Sequence, residues 1–286
     1  MSLDLLQEKV RKMKTPIVVD LSVLDGAIPD AVMQEDVLAA KVTYIRQLLA
    51  ALKGIVPAVR FDLSAFVLHG PQGLLALSEL LAEAKREEFY VILNGPQIDS
   101  PAAAQMAAQT IFADEIYACD GLVISPYIGS DGIKPFVSAT KENKALFVTV
   151  RSANRSAVEL QDLLTGSRHV WGAAAETVAR LGEQSIGKCG YSGVCAVASA
   201  TASDSLQMLR LKHNRLFLLV DGLDLPGGNA KSASFAFDRF GHGAVVCVGS
   251  SVTAAWRDCE DGDYIAAALQ AVERVKKNIL RYVTIL

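Results

Sequence analysis

Residues 215–221 read Arg215-Leu216-Phe217-Leu218-Leu219-Val220-Asp221, and the chain continues Gly222-Leu223-Asp224-Leu225-Pro226-Gly227-Gly228-Asn229. The apolar run is too short for an ordinary helix and has the composition of a strand buried on both faces. The carboxylate that ends it and the glycine-rich turn behind it mark a strand that stops at a polar edge.

Seven further runs have the same character, at 16–21, 58–63, 90–94, 121–125, 145–151, 193–199 and 243–249. Consecutive starts lie between 22 residues (193 to 215) and 48 residues (145 to 193) apart, which leaves room for a helix in each gap. Helical spacing is visible over 39–53, in Leu74, Leu77, Leu80 and Leu81 behind Pro71, over 102–113 behind Ser100-Pro101, and over 203–211. Asp263 is placed to cap a last helix whose Ile265, Leu269, Val272, Val275 and Ile279 recur at three and four. Leu3, Leu6, Val10 and Met13 form an extra leading helix. Residues 154–190 are a long insertion between the fifth and sixth strands, with a helix near 171–181.

Eight strand–helix units predict an α/β fold, a TIM (β/α)8 barrel that takes residues 1–286 as one domain. A doubly wound sheet is the alternative. It calls for a glycine fingerprint after the first strand, and Leu21-Ser22-Val23-Leu24-Asp25 contains none.

Composition narrows the partners. Hydrophobic residues make up 51% and charged residues 21%, which excludes a disordered chain. The net charge of −3 gives no electrostatic basis for binding nucleic acid or a membrane surface. No apolar run reaches the ~18 residues of a membrane span, and residues 1–14 contain no continuous apolar core of a signal peptide. The expectation is a cytoplasmic protein whose Cys119, Cys189, Cys195, Cys247 and Cys259 are free thiols. His69, His169, His213 and His242 are too scattered to form a metal site, so no metal is expected.

A barrel of this kind carries its chemistry at the C-terminal ends of the strands. Those ends present Asp20 and Ser22, Asp62 and Ser64, Asn94 and Gln97, Ser125 and Tyr127, and Arg151, Ser152 and Asn154. Ser199 and Thr201, Asp221 and Asp224, and Ser250 and Ser251 complete the ring. Such a ring suits a small polar ligand. Gly222, Gly227, Gly228, Gly249, Ser250 and Ser251 lie in the last two strand-to-helix loops, where exposed backbone N–H groups often hold a phosphate. Ordinary turn glycines account for the same residues. Lys231 is the nearest base in the sequence. Arg151 reads either as a ligand contact or as one half of an internal ion pair with a carboxylate such as Asp62. His69 reads as a rim acid or base, or as a helix cap. The acidic run Asp258, Glu260, Asp261 and Asp263 reads as helix capping.

Several stretches resemble the orotidine 5′-phosphate decarboxylase family in its longer bacterial form. They are Ser64-Ala65-Phe66 with Gly70-Pro71-x-Gly73-Leu74, and Ser125-Pro126-Tyr127-x-Gly129-x-Asp131 with Pro135-Phe136. Phe147-Val148-x-Val150-Arg151-Ser152-x-Asn154 with Glu159-Leu160-Gln161-Asp162-Leu163, and Gly222 with Gly227-Gly228, follow in the same order. The resemblance spans about residues 16 to 280. It implies a TIM barrel, a homodimer with sites at the subunit interface, and release of CO2 from orotidine monophosphate to give UMP without a metal or organic cofactor.

The resemblance also locates the family's chemistry in an Asp-x-Lys-x-x-Asp motif after the third strand. The lysine ammonium stabilises the carbanion that decarboxylation leaves and then supplies its proton. Here the motif reads Asn94-Gly95-Pro96-Gln97-Ile98-Asp99. Only Asp99 survives, the residue that in the family reaches the neighbouring subunit's site, and Asn94 is a neutral remnant. The family's acidic residue after the first strand falls on Ser22. Its second-strand lysine falls near Phe61, beside Arg60. The glutamine before the paired glycines is Pro226, and the phosphate-binding arginine after the last strand is Val252. Proline has neither an ionisable group nor an N–H.

Four functions remain open from the residues. One is a silent relative that keeps a phosphorylated or nucleotide-like ligand. Others are an active decarboxylase with a rearranged site, and a different sugar-phosphate enzyme using Asp62, Asp99, Asp221 or Asp224 as base. The last is a structural or regulatory subunit.

Overall fold

The computed structural model describes residues 1–112, 116–259 and 262–286. The predicted helix end at Ala113, and Glu260 and Asp261 of the acidic run, lie outside the described residues.

All eight expected strands form. In chain order they are β1 (Ile17–Asp20), β2 (Ala58–Asp62), β3 (Tyr90–Asn94), β4 (Gly121–Ile124) and β5 (Ala145–Thr149). A small hairpin, β6 (Leu164–Thr165) and β7 (Arg168–His169), comes next. Then follow β8 (Ser192–Ser199), β9 (Leu216–Asp221) and β10 (Ala244–Val248). The eight long strands pair in parallel and close in the order β1-β10-β9-β8-β5-β4-β3-β2. Closure removes every sheet edge, and helices cover the outside, so the strands are buried on both faces and read as apolar throughout.

One detail of the strand sequences positions the site. β1, β3, β5 and β9 are buried until their last residue, β2 is buried except at Arg60 and its last residue, and the half-buried last residues are Asp20, Asp62, Asn94, Thr149 and Asp221. Side chains inside the barrel are dry. The first polar group along each strand marks where water returns, and together these groups form the mouth.

The helices bury the stripes their spacing implies. Gly70–Arg86 turns Leu77, Leu80, Leu81 and Ala84 inward, and Tyr264–Leu280 turns in Ala268, Ala271, Val272, Val275 and Ile279. Each fully buried leucine contributes about 2 kcal/mol. Asp263 caps the last helix by accepting a hydrogen bond from the Ala266 amide. The second helix, Val37–Leu52, begins two residues before the expected start because the Asp36 carboxylate accepts from the Leu38 and Ala39 amides. After Ser100 and Pro101 the chain is α-helical only to Ala107 and then widens into a π-turn over Ala108–Phe112.

The leading helix, Ser2–Met13, closes the far end of the barrel. Ser2 Oγ lies 2.7 Å from the Tyr90 hydroxyl at the start of β3, and the Gly243 amide donates to Gln7 Oε1 beside β10. The insertion holds the β6–β7 hairpin and the helix Val170–Gly182. All five cysteines are free, and burial pushes the Cys119 thiol up to about 11. No helix among the described residues is long and apolar enough to cross a membrane.

Candidate functional site

The mouth is organised by one cation. Arg60 lies on β2, one residue before Phe61, and its guanidinium reaches across the barrel axis. Nε and Nη2 donate to Asp20 Oδ2 of β1 at 2.9 and 2.6 Å. Nη1 donates to both Asp221 oxygens of β9 at 2.7 and 2.9 Å. Burial works against the charge of Arg60, but the Asp20 and Asp221 carboxylates outweigh it and hold the guanidinium well above its ordinary pKa. Burial pushes the Cys247 thiol beside them well above its ordinary value.

A second pair stands at the ends of β2 and β3. Asn94 Nδ2 donates to Asp62 Oδ2 at 2.5 Å, and Asp62 Oδ1 accepts from the Ser64 amide at 2.8 Å. The Asn94 side chain is therefore engaged with a carboxylate. Pro96 stands half-buried two residues further on, and Asp99 is exposed just before the Ser100 cap.

The glycine-bearing loops after β9 and β10 come together, with an addition that sequence reading did not pair. Gly222 and Gly227 take φ of +77° and +92°. A Cβ on Gly228 would fall 1.9 Å from the Gly222 carbonyl oxygen, so the loop's own packing demands glycine there. Asp224, from the middle of this loop, turns its Oδ2 to accept from the Gly249 amide at 2.7 Å and the Ser251 amide at 3.3 Å. Ser250 is exposed. The hydroxyls of Ser22 and Ser251 are buried and meet no partner among the described residues. Ser22 donates its amide to Asp20 Oδ1.

Other nominated residues sit elsewhere. Arg151 is buried, and its partner is Asp162 of the insertion rather than Asp62. Nε and Nη2 bind the two Asp162 oxygens at 2.8 and 2.9 Å, and Nη1 donates to the Ser152 carbonyl. Tyr127 is 79% exposed and lines an apolar cleft of about 390 Å3 with Pro126, Ile133, Leu160 and Trp171. His69 Nε2 lies 3.0 Å from Lys41 Nζ, and the buried ammonium also pairs with Asp25 at 2.7 Å. That cluster ties the loop after β1 to the start of the next helix. Lys231 lines a groove of about 580 Å3 with Asp224, Ser251, Arg274 and Arg281. Among the described residues, no group of three or more His, Cys, Asp or Glu is placed to hold a metal ion.

The closed parallel barrel with a charged mouth at its C-terminal strand ends defines an α/β-barrel protein of the kind whose loops carry the site. Comparison with known proteins narrows this. The chain is 31% identical over 219 residues to the orotidine 5′-phosphate decarboxylase of Rhodopirellula baltica, covering 74% of this chain and 72% of that protein. It is 28% identical over 287 residues to that of Clostridium kluyveri, covering 98% of each. Among solved structures, the Leishmania donovani OMP decarboxylase superposes with a TM-score of 0.75 at 23% identity, covering 97% of this chain and 100% of that one. No family model matches the chain. The chain belongs to the orotidine 5′-phosphate decarboxylase family.

Arg60, Asp20, Asp221 and Asp224 are the residues whose joint role was missed. Asp20, Asp221 and Asp224 were visible as strand-end or loop residues, and Arg60 only as the neighbour of Phe61. A charge inside the apolar run Ala58-Val59-Arg60-Phe61 was the available signal, because an arginine there must find carboxylates inside the barrel mouth.

Proposed function

We propose that this chain is a catalytically silent member of its family that binds a phosphorylated or nucleotide-like small molecule at the barrel mouth, as a homodimer in the cytoplasm. The observation that carries the reading is the end of β3. By the motif resemblance Pro96 falls where the family has its lysine, and Asn94 donates to Asp62 instead of presenting a carboxylate.

Decarboxylation of orotidine monophosphate leaves an electron pair that needs a nearby cation and then a proton. Arg60 is the cation at the mouth, and both Asp20 and Asp221 hold it. A guanidinium with a pKa above ~12 is a poor proton donor. Four carboxylates, Asp20, Asp62, Asp221 and Asp224, also crowd the mouth, which opposes the additional carboxylate of orotidine monophosphate. The ligand part of the proposal rests on the backbone of Gly222, Gly227, Gly228, Gly249, Ser250 and Ser251; the sequence also nominates Ser22, Ser64, Tyr127 and Arg151, of which Arg151 is engaged by Asp162 and Tyr127 lines the cleft beside Trp171.

The test follows orotidine monophosphate by ultraviolet absorbance over hours and measures the thermal shift with UMP and with inorganic phosphate. No turnover together with a UMP-dependent shift is expected. Turnover that tracks the purified protein overturns the silent reading, above all if Asp99→Ala abolishes it. Absence of any shift overturns the ligand.

A further inference from the structure

The Gly249 and Ser251 amides are the backbone donors of the last strand-to-helix loop, and the protein already places an anion on them. Asp224 Oδ2 accepts from both, at 2.7 and 3.3 Å. The loop that carries Asp224 is held at a second point three residues earlier, where Asp221 takes Arg60. It is thus stapled across the mouth between β2 and β10.

The structure assigns to Asp224 the role of an internal anion that competes with a ligand phosphate for the Gly249 and Ser251 amides, and so determines which anions the mouth accepts. This rests on the phosphorylated-ligand reading above and adds the residue that tunes it.

Three observations support competition over simple loop anchoring. Only one Asp224 oxygen engages the amides, whereas a phosphate offers three. The Ser251 hydroxyl is buried beside these amides and meets no partner among the described residues, a donor that the single carboxylate oxygen leaves unused. The displaced carboxylate also has somewhere to go. Asp224 lines the groove of about 580 Å3 that Lys231 and Arg274 line too, and among the described residues neither cation meets a carboxylate within 4 Å. A phosphate and the Asp224 carboxylate cannot share the amides, because like charges at contact distance repel strongly.

The experiment titrates UMP, inorganic phosphate and uridine into the full chain and into the variants Asp224→Ala and Asp224→Asn, with circular dichroism and melting curves for each. UMP and phosphate are expected to bind Asp224→Ala at least about tenfold more tightly than the unaltered protein. Asp224→Asn, which keeps the shape but loses the charge, should also bind more tightly, and uridine affinity should not change. Asp224→Asn carries the test if the alanine variant does not fold. Equal affinities across the folded proteins overturn the competition and leave the ligand reading intact. Weaker binding by the variants overturns it as well, because Asp224 then supports the ligand. If no protein binds UMP or phosphate, the ligand reading falls and the competition falls with it.

Discussion

Arg60 Nη1 lies 2.7 Å from Asp221 Oδ1, a contact across the barrel mouth between β2 and β9 that joins residues 161 positions apart. With Asp20 on the other side, one guanidinium holds two carboxylates that would otherwise repel each other. Arg60→Met removes the cation and leaves both acids in a mostly desolvated place. The expected cost is about 3 kcal/mol, read from urea denaturation at neutral pH. Asp221→Asn in the same background should recover part of that loss, since it removes one of the two unpaired charges. A double variant no better than Arg60→Met alone would show that the tie carries little energy.

The Asn94 amide donates to Asp62 at 2.5 Å. Asn94→Asp would set two carboxylates at that distance, and they could not both stay ionised. The variant should lose about 1 to 3 kcal/mol at pH 7. It should recover as the pH falls and the pair takes up a proton to share. Melting temperatures of variant and parent, measured from pH 7 to pH 4, check this. Parallel curves would mean that Asp62 swings away, and the neutral residue at 94 would then need another explanation.

Arg151 ties the insertion to the barrel through its two-point contact with Asp162, and its exposure is only 5%. Asp162→Ala leaves a buried guanidinium with the Ser152 carbonyl alone, at a cost of about 2 kcal/mol. The loss is local, so the β6–β7 hairpin should open more often than the barrel. Limited trypsin digestion should cut at Arg155 or Arg168 several times faster than in the parent, with little change in global melting. Arg151→Lys should behave like Asp162→Ala, because a point ammonium cannot replace the two parallel hydrogen bonds.

Local chemistry explains which features were legible from the chain. The strand at 215–221 was readable because helices and barrel interior cover both its faces, so no polar residue could interrupt it before Asp221. The Asp263 cap was readable because its acceptor and the amide it serves are three residues apart. The π-turn over Ala108–Phe112 had no such signature in its residues. The site divides in the same way. Its strand-end residues could be named in advance, but Arg60 meeting Asp221 depends on the stagger of non-adjacent strands around the closed barrel, and Asp224 meeting Gly249 on how the loops after the paired strands β9 and β10 fold over each other. The paired glycines are a further case. They were nominated for a phosphate, and Gly228 turns out to be required first by its approach to the Gly222 carbonyl.

Part of the acid sensitivity should arise at the end of the barrel opposite the mouth. Asp4 of the leading helix accepts from the Cys189 amide at 2.7 Å. Burial alone would raise its pKa, but that hydrogen bond and the nearby ammonium of Met1 outweigh it and hold the carboxyl at about 2, against an ordinary 3.8. Asp238 is held below the usual carboxylate range in the same manner. Burial is again the opposing effect, and the amides of His242 and Phe240 and the Tyr191 hydroxyl overcome it. A carboxyl whose folded pKa is depressed stabilises the protein fully above its unfolded pKa, and that contribution is lost as pH falls through the folded one. For Asp4 the window runs from about pH 4 down to about pH 2. Asp4→Asn should therefore cost about 1 to 2 kcal/mol at pH 7, after allowance for solvent screening, and should flatten the stability curve across that window. Urea midpoints at pH 7, 4 and 3 measure both effects. An unchanged slope in the variant would place the acid-sensitive carboxylates elsewhere, with Asp238 as the next site to test.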